Sequence, residues 1–154
     1  MNKDYSKTAI IVQDRHISFN EMLRHIMQFA AVAQQAADTK TVIFSENREG
    51  WVYALFSIWL RRGVAVPVDV MSTPDDVAYI LRDCEPEFVW TTRKKADVMR
   101  KAIELAEVQT RLMLIDDYER KAEFLPSQEA ELPSGLERLF ADDEERMALI
   151  VYTS

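Results

Sequence analysis

The chain is expected to fold as an α/β domain in which strands and helices alternate around a mostly parallel sheet. Three observations carry that expectation. Short apolar runs without polar alternation recur at Thr41–Ser45, Val64–Val68, Phe88–Thr91 and Arg111–Ile115, as strands covered on both faces require. Between them lie segments with apolar residues at helical spacing. Each connection is long enough for a right-handed strand–helix–strand crossover.

Taken in order, Thr8–Val12 and Ile17–Phe19 flank the polar Gln13-Asp14-Arg15-His16 and predict a short hairpin. Ser18-Phe19-Asn20-Glu21 then has the form of a capping box. Met22, Ile26, Ala30, Ala33 and Ala37 give the helix that follows one apolar face, ending near Ala37. After the strand at Thr41–Ser45, Asn47 is placed to cap a helix running through the aromatic stretch Trp51 to Trp59. That stretch is apolar all round and reads as buried packing more than as a ligand surface. Arg61-Arg62 suit a helix C-terminus and Gly63 is expected to stop it.

Thr73-Pro74-Asp75-Asp76 supplies a cap, a proline at the first helical position and acids in the first turn. A helix from about Arg93 to Glu107 precedes the strand at Arg111–Ile115, which exits through Asp116-Asp117. From Tyr118 to Asp143 the chain is charged and broken by Pro126, Pro133 and Gly135, so a surface connection is expected. Met147–Tyr152 then reads as a buried strand running into Thr153-Ser154.

Composition narrows the function. A net charge of −7, from 26 acidic and 19 basic residues, disfavours a nucleic-acid surface because phosphate affinity needs a positive field. The longest uncharged run, Trp51 to Leu60, is far short of the ~20 residues that span a bilayer. No signal-like apolar core follows Met1, and the single Cys84 has no partner for a disulfide, so a reducing, cytoplasmic location is expected. Cys84 is assigned to the core.

Candidates for chemistry are weak taken singly. His16 and His25 lack metal-ligand spacing with any cysteine or second histidine, and are read as ordinary surface or half-buried residues. Asp75-Asp76 are explained by the helix dipole and Asp116-Asp117 by a strand exit, so no metal site is assigned. Arg93-Lys94-Lys95 opens a helix, where cations are unfavourable, and reads as a solvated face more than a phosphate site. Small hydroxyl residues after an apolar strand are how phosphate-cradling loops begin; Thr153 and Ser154 stand in that position without the glycines that would complete one.

Three segments together resemble the adenylate-forming superfamily of acyl-CoA synthetases, nonribosomal peptide adenylation domains and luciferases. They are Ile17-Ser18-Phe19-Asn20-Glu21-Met22-Leu23, Leu60-Arg61-Arg62-Gly63-Val64-Ala65-Val66-Pro67-Val68-Asp69, and Leu149-Ile150-Val151-Tyr152-Thr153-Ser154. The first is similar to the opening of that family's first helix, the second to its Val-Pro segment, and the third to the strand before its glycine-rich phosphate loop. Pro74–Leu81 is similar to the helix after the Val-Pro segment. Glu46-Asn47-Arg48-Glu49-Gly50-Trp51 looks like the Asn-Arg-Pro-Glu-Trp run of long-chain fatty acid ligases, with Glu49-Gly50 in place of proline and glutamate. Asp69 stands where long-chain enzymes often have tyrosine, so the acyl length stays open.

The resemblance implies that residues 1–154 are the N-terminal part of an AMP-binding large domain, cut at the start of the phosphate loop. It implies a parent that activates a carboxylic acid, expected to be a fatty acid, with ATP and Mg²⁺, then passes the acyl group to coenzyme A. A carboxylate resists nucleophiles, and an acyl adenylate gives it a stabilised leaving group. Thr153 and Ser154 would begin the ATP site; no catalytic residue is assigned, and Gly63, Pro67 and Asp69 are given structural work as helix stop, strand start and strand exit. The chain alone is expected to be inactive, to hold no cofactor, and to associate with itself through an exposed sheet edge. Alternatives are a peptide-synthetase adenylation domain and a stand-alone binding or regulatory module; a reading frame continuing past Ser154 into a glycine-rich loop favours an enzyme over the module. A flavodoxin-like nucleotide binder is disfavoured because no glycine-rich turn follows Val12 or Ser45.

Overall fold

A computed structural model describes residues 4–120 and 146–153. The hairpin comes first: β1 (Thr8–Val12) pairs antiparallel with β2 (Arg15–Ser18). His16 therefore lies in a strand, and only Gln13 and Asp14 make the turn, Gln13 taking a left-handed φ of 53°. Ser18 caps α1 (Phe19–Ala33) through a complete capping box with Glu21. The helix stops four residues before the expected Ala37, where Gln34 turns left-handed and returns its N–H to the Ala30 carbonyl.

Then β3 (Lys40–Phe44), α2 (Glu49–Leu60), β4 (Val64–Pro67), α3 (Pro74–Cys84), β5 (Phe88–Thr91), α4 (Ala96–Ala106) and β6 (Arg111–Leu114) alternate, and a 3-10 turn follows at Ile115–Asp117. The four strands form a parallel sheet in the order β4-β3-β5-β6. Val42, Val66 and Val89 pack against α3 and α4 through Val77, Leu81, Met99 and Ala102. Ile43, Ala65 and Trp90 pack on the other face against α1 and α2 through Ile26, Phe29, Tyr53 and Ile58. Both faces are covered, which accounts for the unalternated strands.

Five local expectations are corrected. The cap of α2 is Arg48 in extended conformation, whose side chain makes no capping bond, not Asn47. At its far end Arg62 takes the left-handed turn with φ 59°. Gly63 is required for another reason, since a Cβ there would collide with the Gln35 amide. Pro67 ends β4 rather than starting it, and α4 begins at Ala96, after Arg93-Lys94-Lys95. The aromatic helix α2 is also only partly buried: Tyr53 is in the core, whereas Trp51, Phe56 and Trp59 are half-buried.

The expected terminal strand is reduced to one parallel bridge, Ala65 with Leu149, carried by Ala65 N–H to Ala148 O and Ile150 N–H to Ala65 O, each 2.9 Å. It is not buried. Ile150 and Tyr152 pack toward the α3–α4 core, while Met147, Leu149 and Val151 are 60%, 45% and 61% exposed. The segment lies beyond β4 as the outermost row among the described residues, so alternate side chains meet solvent. The surface connection expected at Tyr118–Asp143 falls mainly on 121–145, outside the described residues; its first residues are not surface, for Glu119 is buried and the Tyr118 ring meets Phe29 and Trp90 edge-on. Among the described residues no helix is long and apolar enough to cross a membrane.

Candidate functional site: the carboxyl edge of the parallel sheet

Because β3, β4, β5 and β6 run the same way, their carboxyl ends share one edge. Ser45-Glu46-Asn47, Val68-Asp69, Thr92-Arg93 and Asp116-Asp117 all leave the sheet there. The terminal segment runs parallel to β4 and delivers exposed Thr153 to the same edge. Ser154 lies outside the described residues. Two side-chain bonds hold this segment: Trp59 Nε1 donates to Ala148 O at 2.9 Å, and the Tyr152 hydroxyl donates to Asp83 Oδ2 at 2.5 Å.

In doubly wound sheets the ligand crevice opens where successive connections leave in opposite directions. Here β3 connects outward to β4 and β5 outward to β6, so the switch lies between β3 and β5. That crevice is filled. Thr91 Oγ1 donates to Phe44 O at 2.8 Å, and Thr92 Oγ1 donates to Glu46 Oε2 at 2.8 Å. Burial works to raise the Glu46 carboxyl, but its own backbone N–H, the Thr92 hydroxyl and nearby Lys94 outweigh it and hold it below the usual range.

Beside the crevice, between the ends of β3 and β4, an open cleft of about 430 Å³ is lined by Ser45, Glu46, Asn47, Trp51, Pro67 and Asp69 among others. Trp51, a member of the aromatic stretch, thus faces a candidate ligand space. Asp69 accepts from Met71 N–H at 2.9 Å and so shapes the loop after β4. Asp75 and Asp76 lie in the first turn of α3, where Asp76 completes a capping box with Thr73.

The far side of the edge is closed by an ion cluster that the sequence did not announce. Glu119, 3% exposed at its side chain, accepts from Arg48 Nε at 2.8 Å and also from Arg48 Nη2. It accepts as well from Gly50 N–H at 2.9 Å. A Cβ at residue 50 would lie 2.8 Å from that carboxylate and collide with Ile115, which explains the glycine in Glu46–Trp51. Asp116 accepts from Arg93 N–H at 2.7 Å, and Asp117 pairs with the Arg93 guanidinium at 2.6 Å. Burial opposes ionisation of Asp116, yet the Arg93 N–H and Arg48 hold its carboxyl below the ordinary value. Arg15 of β2 pairs with buried Glu49, tying the hairpin to α2. Glu119 sits in a charged run that resembles a loop, and only its arrival beside Gly50 in space gives it a role.

These residues do not fit a triphosphate. The cleft presents the carboxylates of Glu46 and Asp69, and the guanidinium groups of Arg48 and Arg93 are held by Glu119, Asp116 and Asp117. Among the described residues, an anion here would meet negative charge offset near Glu46 by Lys94 and by Arg48, which Glu119 already holds. Cys84 is buried, and burial pushes its thiol up to about 11.

A family model described as AMP-binding enzyme matches residues 1–154. The chain belongs to that family of adenylate-forming enzymes. It is 28% identical over 91 residues to surfactin synthase subunit 1 of Bacillus subtilis, a match covering 57% of this chain and 2% of that protein. It is 24% identical over 86 residues to 4-hydroxybutyrate–CoA ligase 2 of Metallosphaera sedula, covering 54% of this chain and 16% of that one. The apo crystal structure of MatB from Rhodopseudomonas palustris superposes with a TM-score of 0.73 at 17% identity, covering all of this chain and 30% of that one. The chain therefore spans less than a third of each relative, and carries the strands and helices of an adenylate-forming fold.

Proposed function

We propose that these residues form the N-terminal scaffold of the large domain of an AMP-forming acid–CoA ligase, acting on fatty acids with ATP, Mg²⁺ and coenzyme A. The observation that carries this reading is the delivery of Thr153 to the carboxyl edge of the sheet by a segment bonded to β4. Thr153 and Ser154 would be the first hydroxyl residues of the phosphate loop. The similarity to a 4-hydroxybutyrate–CoA ligase supports a carboxylic acid as substrate and coenzyme A as acceptor.

ATP-bound MatB, which this chain resembles in fold with a TM-score of 0.64, supports a nucleotide as co-substrate of the whole enzyme. The acidic cleft supports the further statement that this chain by itself does not adenylate. Its part is to build the sheet, cover both faces and set the edge. Self-association through the exposed Met147–Val151 row belongs to the same proposal, because an unpaired apolar edge invites a second strand.

A second reading, an amino-acid-activating domain of a peptide synthetase, is favoured by the similarity to surfactin synthase and to tyrocidine synthase 1 of Brevibacillus parabrevis. Acid-dependent pyrophosphate exchange separates the two. The 154-residue chain is expected to show none. A longer polypeptide that opens with this chain is expected to exchange with fatty acids and to form their CoA thioesters. Exchange driven by amino acids instead would establish the synthetase reading, and turnover by the short chain would remove the scaffold reading.

A further inference from the structure

The junction of α1, α2 and the 3-10 turn after β6 holds a titratable group that the carboxyl edge does not use. His25 of α1 lies flat on Tyr53 of α2, with ring centroids 4.5 Å apart and planes 7° from parallel. The Tyr118 carbonyl, at the end of the turn, lies close enough to act on the ring. Its Nδ1 is buried without a hydrogen-bond partner. A proton on that nitrogen would have no acceptor, so the site accommodates the neutral ring better than the imidazolium.

Acids surround this ring, but each is engaged elsewhere. Glu21, one turn earlier on α1, accepts the Ser18 N–H and hydroxyl in the capping box. Glu49 of α2 pairs with Arg15 of β2. Glu119, just after the turn, holds Arg48 and the Gly50 N–H. Arg24 on α1 adds a further cation, and burial keeps the Tyr53 phenol protonated. An imidazolium here would find no dedicated counter-ion, and its second proton would stand at an atom that nothing accepts. Burial is the largest influence on the ring and pushes its titration below the ordinary histidine value, against the weaker pull of Tyr118, Glu21, Glu49 and Glu119.

We propose that the contact of His25 with Tyr53 and the Tyr118 carbonyl is an acid-sensitive latch, which ties α1 to α2 and to the turn after β6 while the imidazole is neutral and releases them when it is protonated. Because the folded state favours the neutral ring, the latch is fully closed above the ordinary histidine value of about 6.5 and loosens as pH falls below it. One coupled proton sets a ceiling: the opening constant rises by no more than about ten-fold per pH unit.

The chain has two histidines, so an NMR titration of the intact protein, with His16→Gln used for assignment, follows His25 alone. The expected result is a His25 midpoint below about 6.5, with hydrogen-exchange protection of Phe19–Ala33 and Ile115–Glu119 falling between pH 6.5 and 5 while β3 and β5 keep theirs. His25→Phe, which keeps a stacked ring without a proton, is expected to abolish that local pH dependence. A His25 midpoint at or above the ordinary value, a loss of protection spread evenly over the sheet, or an unchanged pH dependence in His25→Phe would each overturn the latch. Should that variant fail to fold, the titration and exchange of the native chain still decide.

Discussion

Replacing Glu119 tests whether the ion cluster, rather than the apolar core alone, fixes the end of β6 against α2. In Glu119→Ala the buried Gly50 N–H loses its acceptor, at about 1–3 kcal/mol for a stranded buried donor. Arg48 loses its forked partner but is 28% exposed and keeps Asp116, so partial rehydration limits that part to about 1–2 kcal/mol. The expected loss is therefore about 3 kcal/mol, which at a urea slope of about 2 kcal/mol/M lowers the midpoint by about 1.5 M. Glu119→Gln keeps an acceptor for Gly50 and forfeits only the charge, so about 1–2 kcal/mol is expected. Urea unfolding followed by tryptophan fluorescence reads both. A loss below about 1 kcal/mol in the alanine variant, or a larger loss in the glutamine variant, would refute the assignment.

Gly63→Ala is expected to cost about 1–3 kcal/mol by overpacking against Gln35, and the cost combined with Gln35→Ala should be less than the sum of the two; additive values would contradict the collision. Cys84 should react with an aromatic disulfide reagent at pH 8 about 100-fold more slowly in the native chain than in urea, because burial pushes its thiol up to about 11. The carboxyls of Glu46, Glu49 and Asp116 lie below their ordinary values. Their contribution is present above about pH 4.5 and is lost as pH falls through the depressed values, and Thr92→Val, which removes a donor to Glu46, should flatten part of that acid limb of the urea midpoint.

Much of the fold was legible because its signals are local. Capping boxes at Ser18 and Thr73 need only residues three apart, and the unalternated strands announce a sheet covered on both faces. Family membership was legible from the order of segments along the chain. Glu119 was not, because its partners Arg48 and Gly50 lie 71 and 69 residues away, and a lone acid in a charged run carries no local mark. At Gly63 the sequence points to the right residue through a different cause: a glycine after a helix suggests a left-handed turn, whereas here the turn falls on Arg62 and the glycine answers to Gln35 across the fold. Apolarity alone makes the terminal run look buried, and it does not show how many neighbours an edge has.

The most direct test of the scaffold account is a calorimetric titration of the 154-residue chain with ATP and Mg²⁺. With Glu46 and Asp69 lining the cleft and Arg48 and Arg93 held by acids, the account predicts no saturable binding up to millimolar nucleotide. One-to-one binding with a Kd near 100 μM or tighter, about −5.5 kcal/mol or stronger, would contradict it.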